Sequence, residues 1–416
     1  MRPSNPTRRE FLKTASTGAL ALSLNASTHA RAQGANDRIR IGIIGCGDRG
    51  QKAHMPGIHK HAEEQNAEFV AVCDPWRQRR EEAAAKVKEW HGREATQFSS
   101  YRELLAMDDL DAVMIASCDH QHTTHLEAVA EAGKDVYCEK PLGMDFEAVK
   151  SACAAVKRNN IVAQVGTQLR SMPSFTGVRD FFRTGALGRI SRIEQRRNAA
   201  KPYWYAYLHE VREEDVDWRE FLMDRPMRPF NPVLYTGWYG YRDFSDGPVC
   251  GFGSHFLDLI HYITGAEFPT SAVSLSGTFT WKDENNFTCP DHAQAEWIYP
   301  EGFLATYSTN FGNGAGNCFK IHGENGTLDL VKWDSPILSK EGALKDSAAV
   351  EDRAIEDTPR PDHFLDWLQC LRSRKTPNAS IEAGYQHAVA CLMAIRAGDT
   401  GQRQVYDREK REILAG

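Results

Sequence analysis

The sequence predicts an α/β protein of two domains: a doubly wound parallel sheet first, then an α/β domain on an open, mostly antiparallel sheet. Three observations predict it. From residue 39 to about 165, apolar runs alternate with helical patterns. After residue 270, strand patterns follow one another with only turns between them. The 416 residues also exceed what a single hydrophobic core usually organises.

The first strand, 39–45, is an apolar run that stops at Gly45-Cys46-Gly47-Asp48-Arg49-Gly50. This Gly-x-Gly-x-x-Gly sits between a strand and a helical pattern over 50–62, the context of a dinucleotide fingerprint. Gly45 allows the tight turn, Gly47 lets backbone approach a pyrophosphate, and Gly50 lets the helix pack close to the strand. Asp48 and Arg49 lie in the same loop. Strands at 67–73, 111–116, 134–138 and 161–165 alternate with helices at 77–90, 122–132 and 145–158. Parallel strands joined this way are covered on both faces, and ligands bind beyond their carboxyl ends. The loops that matter are therefore 45–50, 74–79, 117–122 and 139–143. Asp74 closes the second strand, where an acid meets the adenosine ribose and disfavours a 2′-phosphate. NAD is the expected cofactor; Arg77 and Arg79 leave NADP open. Glu139-Lys140-Pro141 follows a strand on the same edge as the glycine loop. A lysine desolvated beside a nicotinamide ring has a lowered pKa suited to acid/base work.

Beyond residue 170 the pattern changes. A helix at 173–184 and a strand at 190–198 precede an aromatic-rich stretch, 202–249, with little periodicity. It is expected to wrap over a site. Its rings, Tyr203 among them, suit carbohydrate faces, although most such rings serve loop packing. Strands follow at 272–281, 292–299, 303–311, 317–322 and 327–331, then a helix at 380–397.

Arg8-Arg9-Glu10-Phe11-Leu12-Lys13, a short apolar stretch and Ala30-Arg31-Ala32 resemble a twin-arginine export signal over 1–32. The apolar stretch is too short for stable membrane insertion. Export of a folded protein to the periplasm, through the twin-arginine machinery and with a cofactor already loaded, is expected. Those residues carry Arg2, Arg8, Arg9, Lys13 and Arg31 against Glu10, so the remainder holds a net charge of about −10. An acidic chain is a poor nucleic-acid binder. None of the ten cysteines forms a Cys-x-x-Cys pair, and several sit in expected buried strands, where they read as small hydrophobes. Neither His120, His122 and His125 nor His255, Asp258 and His261 has a recognised ligand spacing, so no metal is expected.

The glycine loop, Asp74, Asp119-His120-Gln121-His122 and Glu139-Lys140-Pro141 come in an order that resembles the glucose–fructose oxidoreductase/inositol dehydrogenase/MocA family. Val165-Gly166-Thr167-Gln168 with Arg170, Asp217-Trp218-Arg219, Arg228-Pro229-Phe230-Asn231-Pro232, His255-Phe256-Leu257-Asp258 and the chain from His363 to Asp407 extend the likeness toward an exported subgroup. The resemblance implies a Rossmann domain over 37–166 and a substrate and oligomerisation domain over 167–410, with a homo-oligomer formed through the open sheet. It implies Lys140 and His255 as the acid/base pair, His120 and His122 beside the nicotinamide, and Glu139 and Lys140 on the cofactor. Arg170, Tyr203 and Asp258 are the substrate-binding candidates. One departure stands out. The family's dehydrogenases carry an aspartate four residues before the helix histidine, and here that residue is Gly251. Three functions follow: net hydride transfer on a sugar, polyol or glycoside; a redox-neutral NAD-dependent glycosidase or epimerase; and a non-catalytic sugar-binding or regulatory protein on the same fold.

Overall fold

The structure, a computed structural model, describes residues 38–345 and 347–416; the expected export segment lies outside them. Six strands form the first sheet: β1 (Ile39–Ile44), β2 (Ala67–Cys73), β3 (Thr96–Phe98), β4 (Ala112–Ile115), β5 (Asp135–Cys138) and β6 (Ala163–Val165). Their order is β3-β2-β1-β4-β5-β6, and all pairs are parallel. Alternate residues feed two cores. Ala112 and Met114 join Ile41 and Ile43 on one face, while Val113 and Ile115 join Leu126, Val129 and Val149 on the other. Each fully buried Val, Leu or Ile contributes about 1.5–3 kcal/mol, which is why these strands are apolar throughout. The strand order reverses between β1 and β4, and the crevice beyond the carboxyl ends opens at that point.

The second sheet has ten strands in the order β14-β13-β12-β11-β7-β10-β9-β8-β15-β16. They are β7 (Ile190–Arg196), β8 (Ser271–Gly277), β9 (His292–Tyr299), β10 (Phe303–Asn310), β11 (Cys318–Gly323), β12 (Gly326–Asp329), β13 (Ile337–Ser339), β14 (Arg353–Ala354), β15 (Gln404–Asp407) and β16 (Glu412–Ala415). Only β7 and β10 pair in parallel. Helices Pro173–Arg183, Gly253–Thr264 and Ile381–Thr400 belong to this half. Along β9, Ala293, Ala295, Trp297 and Tyr299 are buried and Gln294 and Ile298 are exposed, so one face of the sheet is open.

Three sequence expectations change. Strand 272–281 ends at Gly277, because the backbone N–H groups of Phe279, Thr280 and Trp281 donate to the Asp291 carboxylate instead of a ladder. The helix expected over 50–62 divides into a π-helical turn, Gly50–His54, an α-helix, Met55–His59, and a further turn, Ala62–Gln65. Helix His363–Ser373, placed by the sequence in the second domain, packs Trp367, Leu368 and Leu371 into the core of the first sheet. Its apolar stripe covers a face that would otherwise meet water.

All ten cysteines are free thiols, nine of them buried. Among the described residues, no helix is long and apolar enough to cross a membrane. Trp367→Ala is expected to cost about 3–5 kcal/mol of unfolding free energy in denaturant titration. A loss below about 1 kcal/mol would show that the returning helix is not part of that core.

Candidate active site

A cavity of about 810 Å³ opens at the carboxyl edge of the first sheet. Gly45, Gly47, Asp48 and Arg49 form one end of its lining, with Asp74, Asp119, Lys140 and His255 farther along. The glycine loop has the shape a dinucleotide needs. Gly45 has φ +94°, and a Cβ there would lie 2.4 Å from the Ala116 carbonyl carbon. A Cβ at Gly50 would lie 2.4 Å from the Gly45 oxygen. A Cβ at Gly47 would meet nothing within 4 Å, so open space lies where a pyrophosphate would approach. The loop is held by Asp74, which accepts hydrogen bonds from the amides of Cys46 (2.7 Å) and Trp76 (2.8 Å). Burial raises the Asp74 carboxyl, and those amides partly offset it. Arg77 pairs with Asp215, and Arg79 lies 3.2 Å from both Asp48 and Glu82. Both arginines are thus already matched with carboxylates.

Glu139 lies at the end of β5 and gathers four groups. It accepts from Arg49 Nε (3.0 Å), Gln168 Nε2 (2.7 Å) and the Lys140 amide (2.9 Å), and His54 Nε2 lies 3.0 Å away. Burial alone would raise its carboxyl, but Arg49, then His54 and Lys140, hold it well below the carboxylate range. Lys140 Nζ donates to the Gly251 carbonyl at 2.8 Å. Burial lowers the Lys140 pKa, with Glu139 and Asp119 opposing. His255 lies near the start of helix Gly253–Thr264 and lines the same cavity. Burial, with Lys140 adding, pushes its pKa well below 6.5, so the imidazole is neutral, and its Nδ1 has no hydrogen-bond partner among the described residues.

Four of the expected site residues stand elsewhere. His120 turns away from the cavity: its Nε2 lies 2.9 Å from the Phe221 carbonyl, and its ring packs between Phe221 and Phe244. Burial there lowers its pKa to about 3. Arg170 and Asp258 form a buried ion pair outside the cavity wall (Nε–Oδ2 2.9 Å, Nη2–Oδ1 2.6 Å), and Arg170 also donates to the Asn378 carbonyl. Neither is free to hold substrate, because each neutralises the other in the interior. Tyr203 stands one layer behind the wall, its ring packed edge-on against Trp204, Tyr239 and Phe252. His122 does line the cavity, but its Nδ1 and Nε2 face the carbonyls of Pro141 (2.7 Å) and Ser117 (3.0 Å), which makes it a strut between two loops.

The aromatic segment divides as its sequence allows. Tyr207, Tyr235, Trp238 and Tyr239 line the cavity, whereas Trp204, Trp218 and Tyr241 pack within the loops. Part of the segment crosses to the first domain. Val216 bridges to Trp76, and the Asp217 amide donates to the Pro75 carbonyl at 2.9 Å. Two participants were given no chemical role by the sequence reading, although Asp119 belongs to one of the motifs that carry the resemblance. His54 lies in the π-helical turn and reaches Glu139. Asp119, at the carboxyl end of β4, lines the cavity and accepts from the Ser245 hydroxyl at 2.8 Å. Its place in the 117–122 loop was the available signal. Burial raises its carboxyl to about 7, with Lys140 and Ser245 pulling the other way. Among the described residues no group of three His, Cys, Asp or Glu is arranged to hold a metal ion.

Residues 39–167 match the oxidoreductase family model for the NAD-binding Rossmann fold (GFO_IDH_MocA), and residues 183–405 match that family's C-terminal alpha/beta domain. The chain belongs to this family. It is 29% identical over 200 residues to the inositol 2-dehydrogenase of Rhizobium meliloti (strain 1021), covering 48% of this chain and 57% of that one. It is 24% identical over 302 residues to a glycosyl hydrolase family 109 protein of Shewanella sp. (strain W3-18-1), covering 64% of this chain and 60% of that one. The chain spans about half the length of several curated relatives it matches. The WlbA dehydrogenase from Bordetella pertussis, solved with NADH and UDP-GlcNAcA, superposes with a TM-score of 0.67 at 21% identity, over 89% of this chain and 98% of that one. Membership assigns the glycine loop to the family's NAD-binding fold.

Gly47→Ala is expected to keep the folded stability within about 0.5 kcal/mol, because its Cβ meets no protein atom. NAD affinity, measured by calorimetric titration, should fall by roughly tenfold or more as the methyl enters the pyrophosphate's path. Unchanged affinity would remove the dinucleotide from this loop.

Proposed function

We propose that this protein is an exported enzyme that transfers hydride between a carbon of a sugar, polyol or glycoside and bound NAD. The observation that carries the reading is Lys140: a half-buried lysine whose amine has a lowered pKa, in the cavity that holds the glycine cradle, with a backbone carbonyl as the one partner of its Nζ among the described residues. When bound, the nicotinamide accepts a hydride from substrate carbon or returns one. The Gly45–Gly50 loop holds the pyrophosphate, and Asp74 meets the ribose. Two matched arginines and a buried carboxylate favour NAD over NADP. Lys140 takes the proton of the reacting hydroxyl, or gives it back to a carbonyl oxygen. Neutral His255 orients the same oxygen and can accept or donate a hydrogen bond. Tyr207, Trp238 and Tyr239 offer aromatic faces to a sugar ring.

A redox-neutral reaction is the second reading. The likeness to a glycosyl hydrolase and the absence of a side chain at Gly251 favour it. Transient oxidation would acidify the neighbouring C–H, elimination or inversion would follow, and hydride would return to the substrate. Export rests on the twin-arginine pattern over 1–32, and a sealed hydride cycle suits a compartment without a nicotinamide pool. A homo-oligomer is supported by the open face of the second sheet, where Leu275 is 80% exposed beside Val273 and Ile298.

Absorbance of reduced cofactor across a panel of polyols and sugars tests net oxidation. Glycoside cleavage with the bound cofactor's redox state unchanged would select the second reading. Lys140→Met is expected to lower kcat by about 10²–10⁴-fold while NAD affinity stays within a few fold. For oxidation, the amine works deprotonated. The rate should therefore rise with pH and level off above the folded pKa, at a midpoint below the ordinary lysine value of about 10.4. Full activity in Lys140→Met would leave the sugar-binding protein as the surviving account.

A further inference from the structure

We propose that Asp119 is an acid/base residue of this site, exchanging through Oδ1 the proton that Lys140 takes from the substrate oxygen. This rests on the hydride-transfer reading and adds a group to it. Among the described residues, five carboxylates line the cavity: Asp48, Asp74, Asp119, Glu139 and Glu220. Four are engaged. Asp48 pairs with Lys52 and Arg79, Asp74 accepts two backbone amides, Glu139 has its four partners, and Glu220 faces Arg102. Asp119 differs. Oδ2 accepts from Ser245, and Oδ1 has no hydrogen-bond partner among the described residues.

The hydrogen-bond directions specify where a proton would sit. Ser245 Oγ accepts the Gly247 N–H at 3.2 Å and donates its O–H to Asp119 Oδ2. Oδ2 is thereby satisfied, and Oδ1 is the oxygen left to take up or give a proton. Neutral Asp119 presents a donor there, and ionised Asp119 presents an acceptor. Position 251 cannot supply this carboxylate, because the Tyr203 hydroxyl fills its place: a Cβ at Gly251 would lie 2.5 Å from Tyr203 Oη. That hydroxyl is buried and has no hydrogen-bond partner among the described residues.

The groups acting on Asp119 come from every side. Lys140 and Glu139 follow β5, Asp246 and Ser245 belong to the 245–249 turn, and Tyr203 and Tyr239 come from the aromatic segment. The thiols of Cys118 and Cys289, raised by burial, and of Cys250, raised by its hydrogen bond with Cys391 and then by burial, are neutral. Asp246 is paired with Arg242 at 3.2 Å. Burial and the two other carboxylates favour the protonated form and Lys140 the ionised one, which leaves Asp119 titrating near neutrality. In the oxidation direction the substrate O–H bond breaks, and its one proton goes to the Lys140 amine and is passed on to Oδ1, which restores the amine. The electron pair stays on oxygen and becomes the carbonyl bond as hydride leaves carbon for the nicotinamide. Reduction reverses each transfer.

Calorimetric titration of NAD⁺ and NADH near pH 7, in buffers of differing ionisation enthalpy, tests this without a substrate. The cationic ring favours ionised Asp119, so NAD⁺ binding should release protons and NADH binding should not. The release should shrink in Asp119→Asn to the share that comes from Lys140, and persist, at higher pH, in Lys140→Met. Ser245→Ala removes a donor to the ionised form and should move the release to higher pH. Equal release in wild type and Asp119→Asn overturns the proposal. So does an unchanged pH profile of turnover in Asp119→Asn, where a loss of about 10²-fold is expected, partly restored in Asp119→Glu. If NAD⁺ binds and protons are released but no sugar or glycoside is turned over, the proposed function fails while the titration of Asp119 stands.

Discussion

The site depends on one buried carboxylate. Glu139 lines the cavity at the end of β5 and binds together three pieces of chain that are far apart in sequence. Arg49 comes from the glycine loop and His54 from the turn that follows it, Gln168 from the segment after β6, and the Lys140 amide from its own loop. Removing one partner from a buried charge leaves the other uncompensated, at a cost of about 3–5 kcal/mol. The arrangement also demands space: a Cβ at Gly166 would lie 2.7 Å from Glu139 Cδ. Glycine at 166 is therefore part of the same device. The loop that carries the phosphate cradle and the loop that carries Lys140 cannot move independently, and that rigidity is what acid/base work requires.

The second domain completes the cavity from outside. Its aromatic segment docks on the first domain at Trp76, Pro75 and the 119–121 turn, and returns Tyr239 and Tyr207 to the cavity wall. Helix Gly253–Thr264 delivers His255, while the Arg170–Asp258 pair anchors that helix to the segment leaving the first sheet. Helix His363–Ser373 then crosses back to cover the first sheet. Chain exchange in both directions makes the two domains one support for the site.

Much of this was legible in the sequence because it is local. The strand–glycine loop–helix pattern, the strand alternation and Glu139-Lys140 at a strand end need only neighbouring residues to be read. What was not legible depends on distant contacts. Nothing near Arg170 says that Asp258, 88 positions away, will neutralise it. His120 and Asp119 are adjacent, yet the tight turn that begins at Asp119 sends one side chain into the aromatic cluster and the other to the cavity. Tyr203 was legible as an aromatic ring but not as the occupant of the space beside Gly251. A spare apolar stripe over 363–373 carries no mark of which sheet it will cover.

A crystal structure with NAD bound tests the central claim most directly. The account predicts the pyrophosphate on the Gly45–Gly50 loop and the nicotinamide ring beside Lys140 and His255, with Glu139 still holding Arg49, His54 and Gln168. A dinucleotide bound elsewhere, or a nicotinamide ring out of reach of Lys140, would contradict it.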